Sequence, residues 1–137
     1  MKSFNKTMKT IAIIGTGNMG APMSLNLVKA GFSVKAYDLV EEKLDALVPQ
    51  GVHKCHSHAQ AIENADAILT MLPTSVEVKD VYQNHVLPLE PTQSILIDCS
   101  TIDLTDAKEL HQIVQSQGFS MLDAPVPEAL SAQQMVR

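Results

Sequence analysis

The sequence predicts an α/β fold: a doubly wound parallel sheet of six strands with helices on both faces. Three observations carry that expectation. Short apolar runs and helical stripes alternate six times along the chain. The connections are short, which favours parallel strands joined by right-handed helical crossovers. A glycine-rich turn separates the first strand from the first helix, where such a sheet opens its crevice. The expected strand order is 3-2-1-4-5-6.

The elements follow in order. "TIAIIG" (10–15) is a β-branched run stopped by glycine, as in a strand buried on both faces. From Asn18 to Ala30, Met19, Met23, Leu27 and Ala30 recur at helical spacing, and Gly31 supplies the stop. "SVKAYD" (33–38) is the second strand, and 40–51 a short amphipathic helix ended by Pro49 and Gly51. "VHKC" (52–55) is a weak third strand, and Ser57 caps a helix through about Asn64. "AILTML" (67–72) is the fourth strand, stopped by Pro73, and Ser75 is expected to cap a helix through about His85. "SILIDCS" (94–100), a helix over 103–118 and "FSMLDAPV" (119–126) complete the pattern.

Length and composition narrow the function. The 137 residues suit one domain, 9–126, preceded by an expected flexible tail at 1–8. A net charge of −5 with no basic block argues against nucleic acid as the partner. No apolar run is long enough for a membrane span. Cys55 and Cys99 are too few for a disulfide framework, and reduced thiols fit the cytoplasm.

The chemistry gathers at the first turn. Gly15-Thr16-Gly17-Asn18-Met19-Gly20 is a G-x-G-x-x-G that follows a strand and opens a helix, the context that makes the motif informative. Gly15 permits the tight turn, Gly17 lets backbone approach a pyrophosphate, and Gly20 lets helix and strand pack. The helix N-terminus offers N–H groups to phosphate. Asp38 ends the second strand, placed to accept hydrogen bonds from ribose hydroxyls and to repel a 2′-phosphate. Lys35 and Lys43 are the nearest cations and no arginine is near, so NAD is expected over NADP. Leu72, Pro73, Ser100 and Thr101 end the fourth and fifth strands and line the same crevice. In "HKCHSH" (53–58) the ligand-type side chains diverge along an edge strand and a cap, so no metal site is expected.

Together, "IAIIGTGNMGAPMSLNLVKAGFSVKAYDLV", "ADAILTMLP", "ILIDCSTID" and "LDAPV" resemble the β-hydroxyacid dehydrogenases, from about Lys9 to Val126. The resemblance implies a Rossmann domain and NAD-dependent oxidation of 3-hydroxyisobutyrate, or a related small 3-hydroxyacid, to its semialdehyde. It implies cofactor contacts at Gly15, Thr16, Gly17, Asn18, Met19, Gly20, Asp38, Leu72, Pro73, Glu77 and Thr101, and a substrate side at Ser100, Thr101 and Asp123. It implies homo-oligomers for full-length members. The family's catalytic lysine lies on a later helix of a second, all-helical domain. No lysine follows Lys108 here, so no catalytic residue is expected within these residues.

The chain departs from the family after Val126, where Pro127, Glu128 and Ala129 replace Ser-Gly-Gly. Removing one T from GTN-TCC-GGA-GGC gives GTN-CCG-GAG-GCN, which encodes Val-Pro-Glu-Ala, the residues at 126–129. The expectation is a one-base deletion, in the genome or in its sequencing, that puts 127–137 out of frame. Nucleotide sequence in which restoring one base opens no Ser-Gly-Gly continuation would reject it. A second functional expectation is a stand-alone NAD-sensing regulatory module, which the chain's length would suit.

Overall fold

A computed structural model describes residues 9–88, 94–100 and 102–123, without the side chains of Asn18 and Asp123. Thr101 and the tails 1–8 and 124–137 lie outside the described residues. Six strands form one sheet: β1 (Thr10–Ile14), β2 (Ser33–Tyr37), β3 (Val52–Lys54), β4 (Ala67–Thr70), β5 (Ile95–Asp98) and β6 (Ser120–Asp123). Every pairing is parallel and the order is β3-β2-β1-β4-β5-β6, as predicted. The chain leaves β1 toward β2 and returns to its other side with β4. The crevice of a doubly wound sheet opens at that reversal.

Burial explains why the strands differ in sequence. Every residue of β4 is buried, and in β1 only Thr10 is not, so both read as unbroken apolar runs. β2 and β5 alternate, because one of their faces is covered less completely. Ala12, Ile14, Ile68, Leu96 and Met121 meet α3 (His58–Ile62), α4 (Ser75–Val81) and α5 (Leu104–Ser116) on one face. Ile11, Ile13, Val34, Ala36 and Leu69 meet α1 (Gly17–Lys29) and α2 (Glu42–Asp45) on the other. Toward β6 this second face thins: Ile95 and Ile97 are half-buried, and Leu122, in register with Ile97, is 55% exposed.

Two helices differ from expectation. The helix predicted over 40–51 is α2 followed by a separate 3₁₀ turn, Val48–Gln50, because Pro49 has no N–H to continue an α ladder. The cap of α4 is Thr74, not Ser75: its extended backbone lets Oγ1 accept from Glu77 N–H at 3.2 Å. Thr74-Ser75-Val76-Glu77 is the Thr-x-x-Glu pattern of a capping box, a signal present in the sequence. The end of α4 widens into a π turn, Tyr82–Val86, with Leu87 N–H reaching back to the Tyr82 carbonyl at 2.8 Å.

Candidate dinucleotide site

Gly15 follows β1 and holds φ at +89°, a conformation that glycine adopts without strain. A Cβ here would strike the Met71 carbonyl and lie 2.9 Å from Leu72 Cδ2. A Cβ on Gly20 would lie 2.5 Å from the Gly15 carbonyl oxygen. Turn, helix and the end of β4 therefore meet with no room for a side chain. Gly17 is the first residue of α1, and Met19 packs at the edge of the core. In α1, Pro22 lacks an N–H, and Ala21 N–H bonds five residues back to the Thr16 carbonyl at 2.8 Å, widening the first turn.

The N-terminus of α1 carries no side-chain cap and no acidic residue in its first turn. Thr16 sits at the cap position, but its hydroxyl is turned away and donates to Asp38 Oδ2 at 2.9 Å. Thr16 N–H donates to the same oxygen at 2.8 Å, and Val40 N–H donates to Oδ1 at 2.8 Å. No side chain therefore caps the first turn of α1, at the positive end of the helix dipole. That arrangement fits the diphosphate of a dinucleotide.

Asp38 is held as an anion. Burial alone would raise its pKa, but the bonds from Thr16 and Val40 and the charge of Lys43 outweigh it, so the pKa lies below 3.8. A carboxylate has about four acceptor positions, and three donors reach this one, which leaves capacity for a ribose hydroxyl. Lys35 points elsewhere, its Nζ 2.7 Å from the Glu63 carbonyl.

The opposite wall is built from the ends of β4 and β5. Leu72 and Pro73 follow β4, and Leu72 N–H donates to Ser100 Oγ at 2.8 Å. Ser100, 4% exposed, also lies 3.4 Å from the Thr70 carbonyl oxygen. Beneath it, Asp98 Oδ1 accepts from Thr70 Oγ1 at 2.9 Å and from Ser100 N–H at 3.1 Å. Thr70 Oγ1 lies 2.9 Å from Tyr82 Oη. Thr70 and Asp98 are register partners on adjacent strands, two polar residues in otherwise apolar runs. That polarity is the trace of the network in the sequence, which no local spacing connects. Glu77 stands on the first turn of α4, half-buried beside this wall.

The histidine segment disperses. His53 is exposed on β3, Cys55 is buried, and His56 Nδ1 lies 3.1 Å from Glu41 Oε1. His58 stacks on His85 at 3.8 Å and meets Tyr37 edge-on at 4.6 Å. Among the described residues, no three histidine, cysteine or acidic side chains are grouped to hold a metal ion. No described helix is long and apolar enough to cross a membrane.

Fold and turn together define a dinucleotide-binding domain of the Rossmann type. The chain belongs to the family described as the NAD binding domain of 6-phosphogluconate dehydrogenase, whose model matches residues 10–129. It is 40% identical over 125 residues to the NAD-dependent L-serine dehydrogenase of Pseudomonas aeruginosa, covering 87% of this chain and 41% of that protein. It is 38% identical over 121 residues to the 3-hydroxyisobutyrate dehydrogenase of the same organism, again covering 87% and 41%. Among solved structures, Mycobacterium tuberculosis 3-hydroxyisobutyrate dehydrogenase with L-serine superposes with a TM-score of 0.82. Identity there is 43%, over 88% of this chain and 41% of that one. The chain thus spans about two-fifths of the relatives it matches.

Proposed function

We propose that this chain is the cofactor half of an NAD-dependent dehydrogenase of small 3-hydroxyacids. One observation carries the cofactor reading: an uncapped helix N-terminus behind the Gly15 turn, with Asp38 held ionised beside it. The α1 N–H groups bind the diphosphate, and Asp38 accepts from the adenosine ribose. Asp38 also favours NAD over NADP, because a fixed carboxylate repels a 2′-phosphate. The loop after it carries the exposed Leu39 and Val40, and the only arginine in the sequence is Arg137. Leu72, Pro73, Glu77 and Thr101 complete the cofactor wall, and Ser100, Thr101 and Asp123 stand on the substrate side.

The named relatives support the substrate class. L-serine and 3-hydroxyisobutyrate are both three-carbon-chain carboxylates with a primary 3-hydroxyl and one small group on C2. When bound, NAD accepts hydride from the carbon that carries the hydroxyl. No lysine follows Lys108, so we assign removal of the hydroxyl proton to no residue of these 137. The 137-residue chain is accordingly expected to bind NADH, raising nucleotide fluorescence, and to form no NADH from NAD with 3-hydroxyisobutyrate or L-serine. Turnover by the pure chain would place catalysis within it, and absence of NADH binding would remove the cofactor reading.

A further inference from the structure

Resting on that reading of the cofactor site, we infer that Thr16 is a specificity-setting positioning residue: its hydroxyl fixes the Asp38 carboxylate so that NAD is accepted and NADP refused. Thr16 occupies a variable position of the glycine motif, where the turn itself demands no particular side chain. It is 1% exposed, so its hydroxyl is closed off from solvent. The hydroxyl also gives up the ordinary role of a threonine at a helix N-terminus, since it does not cap α1. It donates instead across 22 residues of sequence to Asp38 Oδ2 at 2.9 Å, beside the backbone bond from the same residue.

The physical effect is immobilisation. Two donors on Oδ2 and one on Oδ1 fix both torsions of the aspartate. A mobile carboxylate can swing toward water when a 2′-phosphate arrives. A pinned one keeps its charge at the ribose, where it accepts from hydroxyls and opposes a dianion. The same pinning spares NAD the entropy of ordering that side chain on binding. Without the hydroxyl, Oδ2 keeps only the backbone N–H of residue 16 and Oδ1 only that of Val40, so one of the three restraints on the side chain is lost.

The test is a pair of dissociation constants, for NADH and NADPH, on the full 137-residue chain. The sequence has no tryptophan, so nucleotide fluorescence is read without competing indole emission. Thr16→Val, which exchanges the hydroxyl for a methyl, should lower the NADH preference about fivefold, roughly 1 kcal/mol. Thr16→Ser keeps the hydroxyl and should hold the preference within about twofold of wild type. Thr16→Ala, smaller and also without the hydroxyl, should move it as Thr16→Val does. In an Asp38→Asn background, Thr16→Val should change the preference no further. The inference is overturned by an unchanged preference in Thr16→Val and Thr16→Ala, by Thr16→Ser behaving like Thr16→Val, or by an equal shift in the Asp38→Asn background. Wild-type chain that binds neither nucleotide removes the cofactor reading and this inference together. Wild-type binding with an unmoved preference removes this inference alone.

Discussion

Replacing Asp38 with alanine separates the two roles the carboxylate holds. Within the chain it accepts from Thr16 N–H, Thr16 Oγ1 and Val40 N–H. Val40 is exposed, so water replaces its acceptor. The buried Thr16 N–H has no such substitute, so the expected loss is about 1–3 kcal/mol. For a chain of this size that is a fall in melting temperature of roughly 3–12 °C. Toward cofactor, losing an ionised acceptor for ribose hydroxyls costs about 1.5–3 kcal/mol, or roughly 10- to 150-fold in NADH affinity. NADPH loses no such bond and escapes a repulsion, so the NADH preference falls by more than about tenfold. The acid limit supplies a second check. The folded pKa of Asp38 is lowered, so its contribution is complete above the unfolded value of about 3.9 and lost as pH falls through the folded one. Wild-type and Asp38→Ala melting temperatures, followed by circular dichroism, should therefore converge toward acid. A variant that loses stability but keeps the wild-type preference would refute the ribose role and leave Asp38 as a fastener of the turn. A stability gap that does not narrow in acid would refute the ionic account of that fastening.

Three further outcomes follow from the same geometry. Gly15→Ala meets the Met71 carbonyl at positive φ, and should cost about 3 kcal/mol or more and abolish NADH binding; a wild-type melting temperature would contradict this. Burial, with the nearby charge of Asp98, pushes the Cys99 thiol up to about 12, and burial raises Cys55 as well. Neither should react with a disulfide reagent at pH 8 until denaturant is added, and rapid labelling of native chain would show the strand ends to be open. Burial and the neighbouring His85 lower the pKa of His58 against a smaller opposing pull from Asp80. The unfolded histidine protonates first, so stability is full above about pH 6.5 and is lost as pH falls through the folded value. His58→Gln should flatten that part of the melting profile between pH 7.5 and 5, and a pH-independent difference would show that the ring serves only as packing.

What the sequence revealed and what it hid divide by distance along the chain. β1 and β4 were legible because burial on both faces leaves an unbroken apolar run, and the turn because three glycines at fixed spacing have few other uses. The caps were legible where the donor lies three residues on, as for Ser57 and Gln60, whose N–H to Oγ distance is 3.0 Å. Thr74 and Ser75 are capping types side by side, and only backbone geometry chooses Thr74. The bond from Thr16 to Asp38 crosses 22 residues and the bond from Thr70 to Asp98 crosses 28. Neither has a local pattern. The second becomes inferable only once the order β1-β4-β5 is accepted, since Thr70 and Asp98 then fall side by side. The stack of His58 on His85 needs the π turn, which aims His85 and which no periodicity announces.

The polar lacing of β4 and β5 has a bearing on how the crevice breathes. The Leu72 amide is sealed by Ser100 Oγ from across the strand pair and the Ser100 amide by Asp98 Oδ1 two residues back on its own strand, not by a ladder that can fray one rung at a time. Exchange of those two protons with solvent water should therefore wait for a larger opening event, and run slowly with or without nucleotide. The other bank is fastened by Asp38, which accepts from Thr16 N–H, Thr16 Oγ1 and Val40 N–H, while Leu39 between Asp38 and Val40 stands 76% exposed. Nucleotide entry is then between two fastened banks, and the slowing of exchange that reports arrival belongs to the first amides of α1, which no side chain caps.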